Sequence, residues 1–108
     1  MKRLIVSILL TCGLVSAQGK QSFTGTVTDG MCPLADHSRM RMGATDAECA
    51  IACVDAHGSL FVLYDGKDAY ALSDQKNSEK LAGKKVTVTG TLDAKNKTIR
   101  VDSITAAK

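Results

Sequence analysis

The chain has 108 residues, a formal net charge of +3 and 4% aromatic residues. This length accommodates a single domain with a small hydrophobic core. A modest charge and few aromatic residues give no reason to expect a nucleic-acid partner, because such partners are held by basic surfaces and by stacking side chains.

The N-terminal residues have the pattern of a cleavable export signal. Two basic residues precede an apolar run from Leu4 to Leu10, and Val15-Ser16-Ala17 forms a small-residue cleavage site. The apolar run is too short to span a bilayer. The alternatives to a cleaved signal are a retained membrane anchor and lipidation at Cys12. We therefore predict a signal peptide at 1–17, and one periplasmic or secreted domain at 18–108 without a transmembrane segment.

Removal of the signal peptide changes the charge and the number of cysteines. It takes away two positive charges and Cys12, and it leaves Cys32, Cys49 and Cys53. Disulfides persist in exported proteins, but three is an odd number. Either one pair forms and one thiol is spare, or the cysteines share a metal ion, or one of them pairs with a partner chain.

The first half of the domain contains a strand, a loop and a helix. Alternating side chains predict a strand over 22–28. Residues 31–44 lack periodicity and form a loop. Thr45-Asp46-Ala47-Glu48 has the pattern of a capping box, which predicts a helix over 46–57 that ends at Gly58.

The second half contains two pairs of apolar segments, each pair joined by a turn, with a short helix between the pairs. These elements are strands over 60–64 and 69–72 around Asp65-Gly66, a helix over 77–82, and strands over 85–92 and 98–104 around Asn96-Lys97. A helix between the third and fourth of five strands is the order of an OB-fold barrel. We predict a mainly β fold, a five-stranded OB-like small barrel with a cysteine-bearing loop and helix inserted between strands 1 and 2. An open, sandwich-like sheet is the alternative.

Several stretches resemble a family of small secreted bacterial proteins described only as a domain of unknown function, DUF5818. They are Phe23–Asp29, Met31-Cys32, His37, Cys49 with Cys53-Val54, Tyr70–Leu72 and Ala82–Leu92. The most specific part is Cys32 followed by Cys49-x-x-x-Cys53. The resemblance implies export and a β-barrel-like fold, and it implies no established activity.

Sulfur and imidazole side chains are concentrated between Met31 and His57. The candidate metal ligands are Cys32, His37, Cys49, Cys53, Met40, Met42 and His57. Thiolates, imidazoles and thioethers favour copper or zinc over magnesium or calcium, and the thioethers favour copper(I). Cys49, Cys53 and His57 recur every four residues, so the predicted helix places them along one stripe.

A disulfide between two of Cys32, Cys49 and Cys53 explains the same pattern. A bond between Cys32 and Cys49 would close a loop of about 17 residues and stabilise the domain by roughly 3 kcal/mol. Cys49 and Cys53 are a less suitable pair, because cysteines one turn apart on a regular helix rarely meet disulfide geometry.

Three functions follow from these patterns. The first is an exported, non-enzymatic binding or interaction domain of unknown ligand with a disulfide-anchored loop, and it has no catalytic residues and no certain cofactor. The second is a copper or zinc carrier or sensor that uses the candidate ligands. The third is a thiol enzyme with a Cys–His pair, although nothing in the sequence marks an oxyanion site.

Overall fold

Five β-strands close into a barrel in the computed structural model, which describes residues 19–38 and 41–107. The strands are β1 (Gln21–Asp29), β2 (Phe61–Tyr64), β3 (Ala69–Leu72), β4 (Lys85–Asp93) and β5 (Thr98–Ala106). Their order around the barrel is β1-β2-β3-β5-β4, and β4 pairs with β1 to complete the circle. β3 and β5 run parallel, and the other neighbouring strands run antiparallel. The predicted OB-like barrel is confirmed, and the alternative of an open sheet is wrong.

β1 closes the barrel because it has a different partner at each end. Its residues 21–26 pair with β4, and its residues 26–29 pair with β2. Gly25 lies at this change of partner, where a Cβ atom would overlap the backbone carbonyl of Tyr64. The close approach of the two strands therefore requires glycine at this position.

The barrel interior holds the hydrophobic core. Every strand contributes to it through large buried side chains, namely Val27, Phe61, Leu63, Leu72, Val86, Val88 and Ile99. The helix α1 (Asp46–His57) adds Ala50, with Ala47, Ile51 and Val54 packed alongside. These four residues form the face of the helix that packs on the barrel.

Both ends of α1 are stabilised as predicted. The Thr45 hydroxyl accepts from the backbone N–H of Glu48 at 3.1 Å, and the Glu48 carboxylate accepts from the backbone N–H of Thr45 at 3.3 Å. Gly58 ends the helix in the left-handed conformation, with φ of 66°. With these ends set, Cys49 and Cys53 lie one turn apart on the buried side of the helix.

The second helix, α2 (Gln75–Lys80), begins and ends two residues earlier than the predicted 77–82. The Asp74 carboxylate caps it by accepting from the backbone N–H of Asn77 at 3.0 Å and from the Asn77 amide at 2.7 Å. The helix therefore begins directly after Asp74, which caps it, and not at the predicted residue 77. The predicted strand boundaries differ from the observed ones by at most two residues, and those of β3 coincide.

Two sequence predictions lie outside the described residues: the signal peptide at 1–17 and the side chain of Met40. Within the described ranges, neither helix combines the length and the apolar character needed to cross a membrane.

We expect Gly25→Ala to destabilise the barrel, because its new methyl group overlaps the Tyr64 carbonyl. Overpacking of this kind typically costs about 1–3 kcal/mol. Urea denaturation measures the change, with Thr24→Ala as the control on the exposed neighbouring position of β1. Equal stability of the two variants would contradict the requirement for glycine.

Candidate metal centre

The chain reverses direction directly after β1 around the carboxylate of Asp29. Its Oδ2 atom accepts from the backbone N–H of Met31 at 2.9 Å and of Cys32 at 3.1 Å. The carbonyl of Cys32 accepts from the Thr28 hydroxyl at 2.8 Å and from the backbone N–H of Ala35 at 3.0 Å. These four bonds fix the turn and place the Cys32 side chain beside Asp29.

Asp29, Cys32 and His37 form a buried group of three potential metal ligands. Their exposed fractions are 0%, 7% and 4%. One ligand atom from each residue lies within 4.8 Å of the other two. The Asp29 Oδ1 and His37 Nδ1 atoms are 4.0 Å apart, which is too long for a direct hydrogen bond.

These same two atoms have no hydrogen-bond partner among the described residues, although both are buried. A buried polar atom without a partner costs about 1–3 kcal/mol. A cation held between Asp29 Oδ1 and His37 Nδ1 would give both atoms a ligand bond.

The spacing of the group is close to that of a four-coordinate zinc site. Zinc bonds of about 2.0 Å to nitrogen or oxygen and about 2.3 Å to sulfur place the ligand atoms roughly 3.3–3.8 Å apart. The three atoms here lie within 4.8 Å of one another. A contraction of at most about 1.3 Å between the sulfur and the other two atoms would therefore bring the group to coordinating distance.

Two cysteines of α1 lie beside this group, and both are fully buried. Burial, and then the negative charge of Asp29, raise the pKa of Cys53 from its ordinary value of 9.0 to about 12. Burial also raises the pKa of Cys32, with a further contribution from Asp29. Both side chains are therefore protonated thiols at neutral pH in the metal-free protein.

The Cys49 sulfur has a different neighbour. It accepts from the backbone N–H of Met42 at 3.3 Å, so it faces the loop between β1 and α1. The charge of Cys49 contributes to the raised pKa of both Cys32 and Cys53. Cys49 is therefore the helical cysteine whose sulfur faces the loop.

Six of the seven predicted ligands lie among the described residues, and they occupy different positions in the structure. The structure brings Cys32 and His37 together, and it buries Cys49 and Cys53 next to them. His57 is exposed at the end of α1, and the Met42 side chain is 37% exposed. No disulfide joins the three cysteines of the described chain, so the predicted bond between Cys32 and Cys49 stays a prediction.

Asp29 is the site residue that the sequence analysis missed, because an Asp-Gly pair at the end of a strand is typical of a turn. A signal was nevertheless present. Asp29 precedes Cys32 by three residues, and an aspartate bonded to the backbone two or three residues later brings the following side chains back towards itself.

Comparison with known proteins adds a family similarity. Residues 55–107 match the family model described as "Protein of unknown function (DUF5818)", which confirms the resemblance over that part of the chain. The match includes β2 to β5 and leaves out Asp29, Cys32 and His37. No curated protein and no solved structure matches the chain.

The raised thiol pKa values predict a loss of stability at high pH in the reduced, metal-free protein. The unfolded chain ionises its cysteines near pH 9, whereas folded Cys53 stays protonated until about pH 12. The stabilisation is therefore complete below pH 9 and is lost as the pH rises from 9 towards 12.

Urea denaturation at several pH values, with a chelator and a reducing agent, measures this effect. The free energy of unfolding should fall more steeply above pH 9 in the parent protein than in Cys53→Ala. Identical slopes in both proteins would show that Cys53 does not titrate in this way.

Proposed function

Since residues 55–107 are DUF5818-like and the function of that family is unknown, we propose a function from the site itself: the chain is a zinc-binding domain whose ion anchors the loop after β1. The observation that carries this proposal is one pair of atoms. Asp29 Oδ1 and His37 Nδ1 are buried, unsatisfied and 4.0 Å apart, with Cys32 Sγ within reach of both.

The mixture of donors favours zinc over the other metals considered. One carboxylate oxygen, one imidazole nitrogen and one thiolate sulfur suit a borderline ion. Copper(I) would prefer thioethers to the carboxylate, but the Met42 side chain is outside the group and partly exposed. Magnesium and calcium would prefer oxygen ligands to the thiolate.

Cys53 is the fourth ligand in this proposal. It is buried on α1, which packs against β1, and the charge of Asp29 contributes to the raised pKa of its thiol. Zinc would displace the protons of Cys32 and Cys53, because only thiolates coordinate it. Four protein ligands in a buried position are typical of structural zinc. The ion would then link the end of β1, the loop and α1 in place of a larger core.

We also propose that the domain is exported and acts after removal of residues 1–17. The basic start, the short apolar run and the small residues before Gln18 support this localisation. The mass of the protein recovered from the periplasm or medium of an expressing bacterium should correspond to cleavage after Ala17. A mass that includes residues 1–17 would contradict it.

Zinc binding by the purified, reduced protein tests the metal site. Calorimetric titration should show one ion per chain, and zinc should raise the melting temperature. Asp29→Asn and His37→Ala should each weaken binding at least tenfold, which is about 1.4 kcal/mol. Asparagine at position 29 keeps a side-chain acceptor for the turn, so the loss would report coordination.

His57→Ala is the matched control, because His57 is the other histidine of the chain and is exposed. The zinc affinity of the His57→Ala variant should equal that of the parent protein. The zinc site is wrong if Asp29→Asn binds zinc as tightly as the parent, or if copper(I) binds with zinc unable to compete.

A further inference from the structure

Cys32 belongs to two chemical groups at once. With Asp29 and His37 it forms the set of ligands, all within 4.8 Å of one another. With Cys49 and Cys53 it forms a cluster of three buried thiols. A single sulfur cannot serve as a zinc ligand and as half of a disulfide, so the two groups compete for Cys32.

Exposure sets the order in which these sulfurs would meet an oxidant. Cys32 is 7% exposed, whereas Cys49 and Cys53 are both at 0%. Cys32 also lies in a turn between the exposed side chains of Met31 and Leu34. An external oxidant would therefore reach Cys32 before the two helical cysteines.

The position of its sulfur atom selects Cys49 as the disulfide partner of Cys32. The Cys49 sulfur faces the loop, because it accepts the backbone N–H of Met42. Cys53 lies one helical turn further along α1, where burial and then the charge of Asp29 raise the pKa of its thiol. Cys49 is thus the thiol on the same side as the loop that carries Cys32.

We propose that a Cys32–Cys49 disulfide, formed by exchange with a small-molecule disulfide, expels the zinc and takes over the anchoring of the loop. This inference rests on the proposed zinc site and adds its regulation. Oxidation would then exchange one anchor of the loop for another and leave the barrel folded.

The exchange has two steps that balance. The Cys32 thiolate attacks the small disulfide, which breaks its S–S bond, forms a mixed disulfide and releases one small thiolate. The Cys49 thiolate then attacks the Cys32 sulfur and releases the second small thiolate. Two electrons pass from the two cysteines to the small disulfide. Its two thiolates take up the proton of Cys49 and one proton from solvent. Zinc leaves as the hydrated ion, and the Cys53 thiolate that it releases takes up a second proton from solvent.

The loss of Cys32 weakens the site in a direct way. Zinc loses the anionic Cys32 ligand and keeps only Asp29, His37 and Cys53. The Cys32 sulfur cannot bind the ion again while it is part of the disulfide. The new disulfide closes a loop of about 17 residues and so keeps the loop after β1 anchored once the ion has left.

The experiment treats the zinc-loaded protein with oxidised glutathione. A colorimetric chelator measures the zinc released, and peptide mapping identifies the disulfide formed. We expect one zinc ion to be released for each Cys32–Cys49 bond, and reduction to restore zinc binding. Cys49→Ala should bind zinc like the parent protein and keep at least most of it under the same treatment.

The mapping of the parent protein decides the outcome even if Cys49→Ala does not fold. A bond between Cys49 and Cys53, or zinc retained after the Cys32–Cys49 bond has formed, would overturn the switch and leave the zinc site in place. If the reduced parent binds no zinc, the proposed function fails, and the switch fails with it, even where the Cys32–Cys49 bond still forms.

Discussion

The buried carboxylate of Asp29 is the interaction on which the rest of the site depends. One of its oxygens accepts two backbone N–H groups and thereby turns the chain at the end of β1. The other oxygen is left without a partner, opposite an equally unpartnered nitrogen of His37. An ionised carboxylate in a buried position costs several kcal/mol unless a charge or further hydrogen bonds compensate it. A metal ion at this point would supply the compensation that the turn alone does not.

The barrel determines where this carboxylate lies. β1 is held on both sides, by β4 over its first part and by β2 over its last part, so its end is fixed in position. α1 packs against the same strand, and its two cysteines lie on its buried side. The ligands therefore come from a strand end, a loop and a helix. The connection between strands 1 and 2 is also a common ligand-binding position on OB-like barrels.

The sulfur chemistry of the site follows from having three buried thiols beside one carboxylate. Burial and the charge of Asp29 keep Cys32 and Cys53 protonated, so neither is a reactive thiolate in the metal-free protein. Metal binding and disulfide formation both remove protons from these sulfurs, and Cys32 is common to the two reactions. A single structural disulfide would use only two of these three buried thiols.

The sequence by itself determined the features that depend on neighbouring residues. The capping box at Thr45, the stop at Gly58 and the alternation of the strands specify local backbone conformation, and the OB-like order followed from them. The predicted start of α2 was two residues late, because the Asp74 carboxylate caps the helix through the backbone N–H and the side-chain amide of Asn77.

Only the tertiary structure decided the composition of the site. It brought His37 to Asp29, buried both, and left His57 and Met42 exposed, although all the candidate side chains looked equivalent in the sequence. The physical reason is that coordination depends on distance and burial. Both are set by how the loop after β1 folds against α1 and the barrel.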